Sequence, residues 1–362
     1  MSRKRVVLVG AGHAHLHLLR RSDAFARRGI ELVLISPDGF WYSGLATGVL
    51  GGQYGAELDF IDPAGLLQAC GGRHVRDRMT GLDRNRRSVL LENGDSELFD
   101  ILSIDVGSAA PPIAGDADGI LDVKPVTNLI WLRNAIEERL GSSQLCEIAI
   151  VGSGVTAFEL AANIAGLGER RGRKISVSIY GRGPIALTEL PLGARNLIVD
   201  RLARRGVTFH SAAEVVGAEN DHLLFADGER RLFTFAVNAS GLVPISIVGS
   251  LGLRLNDRGG LVTDAYLKCA DGIFAAGDCI AFCGTSLPCV GVYAVRQAPV
   301  LLANILATVE GTALRVFRPQ RHYLSIMNLG DGTGLAVRGR FWTHGRTAMR
   351  VKDIIDRRFV GH

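Results

Sequence analysis

Runs of apolar, β-branched residues alternate with two-faced stretches along most of the chain. Arg3–Gly10 opens with such a run, the pattern of a strand buried on both faces. Gly10-Ala11-Gly12 breaks it, Ala14–Arg28 follows with helical spacing, and Glu31–Ser36 is again strand-like. About 140 residues later the order recurs as Glu147–Gly152, the turn Gly152-Ser153-Gly154, helix-like Thr156–Leu167 and strand-like Lys174–Tyr180. Units of strand, turn, helix and strand fold with parallel strands. Arg73–Asp105, with turn residues Glu92-Asn93-Gly94-Asp95, and Val207–Val237, with Ala226-Asp227-Gly228, predict antiparallel meanders. In the tail, Val351, Ile354, Ile355 and Phe359 recur at helical spacing within Thr347–Phe359. Arg350, Lys352, Asp353, Asp356 and Arg357 fill the other face, so an amphipathic helix is expected.

The expected fold class is α/β: two Rossmann-like domains, each with a β-meander, plus a C-terminal tail carrying the amphipathic helix. The order of elements gives a first domain in two parts (1–112 and 245–315), a second at 113–244 and a C-terminal segment at 316–362.

Composition sharpens this. The 362 residues include 45 glycines, above the usual ~7%, and they are spread along the chain rather than gathered in linkers. Such backbone turns sharply or approaches something closely. Gly44, Gly48, Gly51, Gly52 and Gly55 are expected to form a loop around a ligand. With 47% apolar and 21% charged residues, disorder is excluded. Residues 315–362 hold ten Lys/Arg and three acids, so the net charge of +5 belongs to the tail. The longest apolar-rich tract, Phe235–Leu253, is broken by Asn238, Ser240, Gly241 and Pro244, and no membrane span is predicted. Met1-Ser2-Arg3-Lys4-Arg5 leads directly into a strand without a leader-like apolar segment, so a cytoplasmic location is expected.

The two glycine turns carry the first chemistry. Gly10 allows the tight turn, and Gly12 lets backbone N–H groups reach a pyrophosphate at a helix N-terminus. His13 and His15 stand in that turn, where helix packing or pyrophosphate contact is expected rather than a metal. The ribose acid that usually ends the second strand is replaced by Ser36, with Asp38 two residues on; either is a ribose candidate. The second turn is fuller, with Gly152, Gly154, Thr156 and the small Ala157. Its ribose acid is also absent. Arg182 stands near that point, as a partner for a 2′-phosphate or as a solvated loop cation. Gly272–Asp278 is a short strand ending in Gly277-Asp278, and the carboxylate can accept from a polyol hydroxyl.

Taken together, the first turn, Asp105-Val106-Gly107-Ser108, Gly152–Glu159, Ala239-Ser240-Gly241-Leu242-Val243-Pro244 and Phe274–Asp278 resemble the pyridine nucleotide-disulfide oxidoreductases, over about residues 5–315. Within them the chain looks most like type II NADH dehydrogenases and sulfide:quinone reductases. Closer still is the flavoprotein module fused to selenide, water dikinase. The likeness to that module rests on Gly12–His15, Ile35–Asp38, Tyr42-Ser43-Gly44, Val123-Lys124-Pro125, Gly291–Gln297 and Lys352–Phe359.

The resemblance implies FAD at the first site and NADH or NADPH at the second. Gly10, Gly12, Gly107, Gly277 and Asp278 would bind FAD, with Ser43 and Tyr293 as further contacts. Gly152, Gly154 and Glu159 would line the nicotinamide site. Lys124 and Glu159 are candidates for polar roles at the flavin, where a cation near N1 stabilises the reduced ring; Lys124 is equally readable as a surface loop residue. Phe40–Gly55 lacks the cysteine pair of disulfide reductases. Cys279, Cys283 and Cys289 remain, read as small buried residues, a redox thiol or a metal site; Cys289 stands out because the resembling module tends to carry lysine there.

The implied function is electron transfer from NAD(P)H through flavin to an acceptor, a quinone by resemblance. The basic tail helix would lie on an anionic inner membrane face, close a homodimer or cover the flavin. Oxidation of a sulfur or selenium compound through Cys289 is the alternative, as is a non-catalytic flavin-binding partner protein. Nucleic-acid binding is not expected, because the basic stretch is short and lacks interleaved aromatics.

Overall fold

The computed structural model describes residues 3–68, 70–116, 118–142 and 144–361. Its contacts divide the chain into two compact units: Met1–Phe40, Ile61–Ala109 and Val243–Arg321 in one, and Trp41–Phe60, Ala110–Leu242 and His322–His362 in the other.

In the first unit, Arg5–Val9 lies centrally in a sheet of six strands among the described residues. The order is Lys268–Ala270, Ile273–Ala275, Ile101–Ile104, Arg5–Val9, Glu31–Ile35 and Arg73–Val75. All neighbours are parallel except the first pair. The unbroken apolar runs have a simple cause: both faces are covered. Val6, Leu8, Leu32 and Leu34 pack on one side with Ala14 and Leu18 of the helix His13–Arg20 and with Ala298 and Leu301. Val7, Val9, Val33 and Ile35 pack on the other with Val89, Leu91 and Val248. The helix Gly291–Glu310 is long and apolar enough to span a bilayer by length and composition alone. Half of it is buried, and it packs on the helix His13–Arg20 with Gln297 and Asn304 inside, the setting of a core helix.

The second unit repeats the plan. Ile120–Asp122, Phe235–Asn238, Glu147–Val151, Ser176–Tyr180 and Val207–His210 form an all-parallel sheet. Both meanders are narrower than the sequence pattern implied. Met79–Asp83, Ser88–Leu91 and Ser96–Leu98 make the first, and Val215–Glu219, His222–Phe225 and Arg230–Leu232 belong to the second. Their expected outer strands, Arg73–Val75 and Ile101–Ile104 in one case and Val207–His210 and Phe235–Asn238 in the other, belong to the parallel sheets.

Other differences concern the second unit. Residues 41–60, expected in the first domain, group with it. The expected glycine loop there is in part a helix, Ser43–Leu50. Its glycines make room for aromatic rings: a Cβ on Gly48 would lie 2.4 Å from the Tyr54 ring and one on Gly44 2.5 Å from that of Tyr42. The tail holds an antiparallel sheet, Ser325–Asn328, Gly334–Arg338 and Phe341–Gly345, before the helix Arg346–Val360.

Candidate cofactor sites and a buried charge cluster

At the end of the strand Arg5–Val9, Gly10 takes φ +88°, a left-handed conformation that favours glycine. Gly12 is the extended cap of the helix His13–Arg20. A residue missed by sequence reading sits beside them. Asp105 is 3% exposed, and its Oδ2 accepts from the N–H groups of Ala14 (2.9 Å) and His15 (3.3 Å). A Cβ on Gly12 would fall 2.2 Å from this carboxylate and one on Gly277 2.3 Å. Three first-site glycines thus converge on Asp105, since Gly10 abuts its backbone carbonyl. Asp105 opens the motif Asp105-Val106-Gly107-Ser108, whose resemblance points to Gly107 alone as a site residue.

His15 is fully buried in this turn. Its Nδ1 lies 2.6 Å from the Gly10 carbonyl and its Nε2 2.8 Å from Ser103 Oγ. A carbonyl only accepts, so Nδ1 carries the proton and the Ser103 hydroxyl donates to Nε2. Burial lowers the His15 pKa to about 4, so the ring is neutral near pH 7. His13 sets its ring edge-on to Phe40 at 4.9 Å. Asp278 lies in the short turn Gly277–Cys279 and accepts from the Ser108 hydroxyl at 2.8 Å. Gly277 N–H donates to Gln297 Oε1 at 2.8 Å. The Tyr293 hydroxyl faces the Gln320 carbonyl at 3.4 Å.

Of the two ribose candidates, the Ser36 hydroxyl donates to the Asp38 carbonyl (2.8 Å) and lies 3.0 Å from His74 Nε2. The Asp38 side chain is exposed and accepts from Gly39 N–H. Cys279 is buried and its thiol is pushed up by desolvation, while Cys283 is exposed and Cys289 partly buried.

In the second unit, Gly152 has φ +134°, and a Cβ there would lie 2.2 Å from the Ala239 carbonyl. Gly154 caps the helix Val155–Arg170, whose first N–H donates to Glu189 Oε1 at 2.6 Å. Thr156 and Arg182 are exposed. At the end of the strand Ser176–Tyr180, Tyr180 stacks on His210 at 4.9 Å, and Arg231 lies over Tyr180 at 5.3 Å. Arg231 is held by both oxygens of Glu229 at 2.8 Å. Neither Glu189 nor Arg231 stood out in the sequence.

Glu159 is half-buried on the helix Val155–Arg170. Its Oε1 accepts from Thr47 Oγ1 (3.0 Å) and Asn328 N–H (2.9 Å). Desolvation raises its pKa, opposed chiefly by the charge of Lys352. Lys352 is itself buried, 2.5 Å from Asp356 Oδ2, and it donates to the Gly44 carbonyl. The Tyr42 hydroxyl donates to Asp356 Oδ1 at 2.8 Å, and its ring stacks on Phe359. Burial and the Asp356 charge push the Tyr42 phenol up. The helix Arg346–Val360 therefore turns its expected polar face inward at Lys352 and Asp356. Its apolar residues Val351, Ile354 (66% exposed) and Ile355 face outward. Ser43 is exposed at the start of the helix Ser43–Leu50, and Lys124 is half-buried in the loop after Ile120–Asp122.

The contact division places Gly10, Gly12, His13, His15, Ser36, Asp38, Gly107, Gly277, Asp278, Cys289 and Tyr293 in the first unit. Ser43, Lys124, Gly152, Gly154, Thr156, Glu159 and Arg182 fall in the second. Both turns fit a dinucleotide: each presents a glycine that no larger residue can replace, ahead of a helix N-terminus without a cap from its own N-cap side chain.

The comparisons agree with this geometry. The chain is 27% identical over 301 residues to the rubredoxin-NAD(+) reductase of Alcanivorax borkumensis, covering 79% of this chain and 74% of that protein. It is 27% identical over 270 residues to the demethylphylloquinone reductase NdbB of Synechocystis sp., covering 70% and 66%. The structure of NDH2 from Plasmodium falciparum in complex with NADH superposes with a TM-score of 0.86 at 14% identity, covering 99% of this chain and 97% of that one. With residues 4–300 matched by the family model for pyridine nucleotide-disulphide oxidoreductases, the chain belongs to that family and is an oxidoreductase using FAD and NADH or NADPH.

Proposed function

We propose that the chain passes electrons from NADH or NADPH to a quinone at a membrane surface. The supporting observation is the reversed polarity of the helix Arg346–Val360. A helix that buries Lys352 and Asp356 and exposes Val351, Ile354 and Ile355 leaves an apolar stripe suited to lipid. Phe341, 70% exposed, and Trp342 on the neighbouring strand extend it. Arg338, Arg340, Arg346, Arg350 and Arg358 are exposed in the same segment, and each cation adds about 1 kcal/mol near anionic lipid.

FAD, when bound, supplies the redox chemistry. The protein's part is binding, orientation and proton placement. Gly10 and Gly12 let the turn close on Asp105 at the N-terminus of the first helix, where a pyrophosphate would bind, and Asp278, fixed by the Ser108 hydroxyl, would accept from a polyol hydroxyl. Gly152 and Gly154 serve the nicotinamide nucleotide. Glu159, with its pKa raised by burial, holds or releases a proton at its carboxyl, and the ammonium of Lys352 favours release. Cys289, partly buried in the same unit as the Gly10–Gly12 turn, is the thiol candidate for the flavin site.

Flotation with anionic vesicles containing a quinone tests the acceptor and the membrane together. Wild type is expected to float and to reduce the vesicle quinone. The double substitution Ile354→Glu and Ile355→Glu is expected to lower the floated fraction and the vesicle-quinone rate by about tenfold or more, with reduction of a water-soluble quinone unchanged. Wild type that stays below the vesicles and reduces a rubredoxin-type protein instead would contradict this reading.

A further inference from the structure

The first dinucleotide turn already contains an anion. We propose that Asp105 is a built-in counterpart of the flavin pyrophosphate, which shapes the turn in the free protein and loosens its hold on FAD. This rests on the reading that the Gly10–Gly12 turn binds FAD.

A helix N-terminus attracts one anion through its unpaired N–H groups. At the helix His13–Arg20, two of those groups, on Ala14 and His15, donate to Asp105 Oδ2 at 2.9 and 3.3 Å. The side chain is enclosed, since a Cβ on either Gly12 or Gly277 would overlap its oxygens. It is therefore a fixed part of the turn rather than a surface residue swung inward. Beside it, Gln297 spends its Oε1 on Gly277 N–H, and its buried Nε2 has no hydrogen-bond partner among the described residues. A polar group left unpaired so close to the turn marks the pocket as shaped for a ligand. The second turn offers a contrast: the carboxylate at its first helical N–H, Glu189, is exposed, so a nucleotide can displace it.

Two consequences have opposite signs. Without flavin, Asp105 satisfies helix N–H groups and stabilises the turn. With flavin, its charge and a nearby pyrophosphate repel through a poorly solvated medium, and they compete for the same donors. The neutral isostere Asp105→Asn should therefore destabilise the apoprotein yet bind FAD more tightly. Asp105→Ala is a second variant should Asn fold poorly.

The experiment titrates FAD and riboflavin into apoprotein by flavin fluorescence, with thermal unfolding of each apoprotein alongside. The expected result is a Kd for FAD lowered about tenfold or more in the variants, a lower apo unfolding temperature, and unchanged affinity for riboflavin, which lacks the pyrophosphate. An unchanged or weaker FAD affinity would show Asp105 to be only a structural helix cap and overturn the proposal. If wild type itself binds no FAD, the flavin reading of this turn fails, and the proposal with it.

Discussion

Gly10→Ala is expected to leave little or no soluble, yellow protein. Two costs combine at this position. Its φ of +88° costs a non-glycine residue about 1–2 kcal/mol. An added Cβ would also lie 2.4 Å from the Asp105 carbonyl oxygen, 2.8 Å from its carbonyl carbon and 2.9 Å from Val106 Cα. All three are backbone atoms at the end of the central strand Ile101–Ile104, so no flexible side chain can yield. Relief would require parting two neighbouring strands of the parallel sheet, a cost of several kcal/mol against a typical total stability of about 5–15 kcal/mol. Gly29→Ala is the control. Gly29 also has positive φ, at +64°, but nothing lies within 4 Å of its added Cβ. That variant is expected to lose about 1 kcal/mol and to keep its flavin. Comparing soluble yield and bound flavin in the two variants checks the prediction; equal behaviour would refute it.

Lowering pH from about 7 to about 4.5 should destabilise the first unit through His15. This histidine has its pKa lowered from 6.5 to about 4 by burial. Between these values the unfolded chain binds a proton that the folded chain refuses. Stability therefore rises with pH across the window and is lost as pH falls through it. The slope is about 1.4 kcal/mol per pH unit, or about 3 kcal/mol over the whole window. His15→Gln removes the titration while retaining a polar side chain. Urea unfolding at several pH values, followed by a first-unit probe such as flavin release, should show a flatter slope for the variant. Parallel slopes would mean that His15 accepts its proton in the folded state.

The parallel strands and both glycine turns were legible because full burial leaves unbroken β-branched runs and because glycine alone permits the turns. The less legible features share a physical cause: periodicity shows that a helix has two faces, not which one is buried. The pair Lys352 and Asp356, spaced i,i+4, resembles a solvated surface pair, yet Tyr42 and the Gly44 carbonyl draw it inside. The helix Ser43–Leu50 was hidden by Gly44 and Gly48, which weaken helix propensity but are required by the rings of Tyr42 and Tyr54. The tail sheet lacks strong alternation: Ser325–Asn328 is short, and Phe341–Gly345 is largely exposed. Asp105 was visible as a motif letter, but its role depends on helix N–H groups some ninety residues away in sequence, a proximity no local pattern encodes.

The most direct test of the account is anaerobic reduction of the purified yellow protein. NADH or NADPH should bleach the flavin absorbance within the mixing time or shortly after, and a quinone should restore it. A flavin that stays oxidised with both nucleotides would contradict the central claim that this chain is an NAD(P)H-driven flavoenzyme.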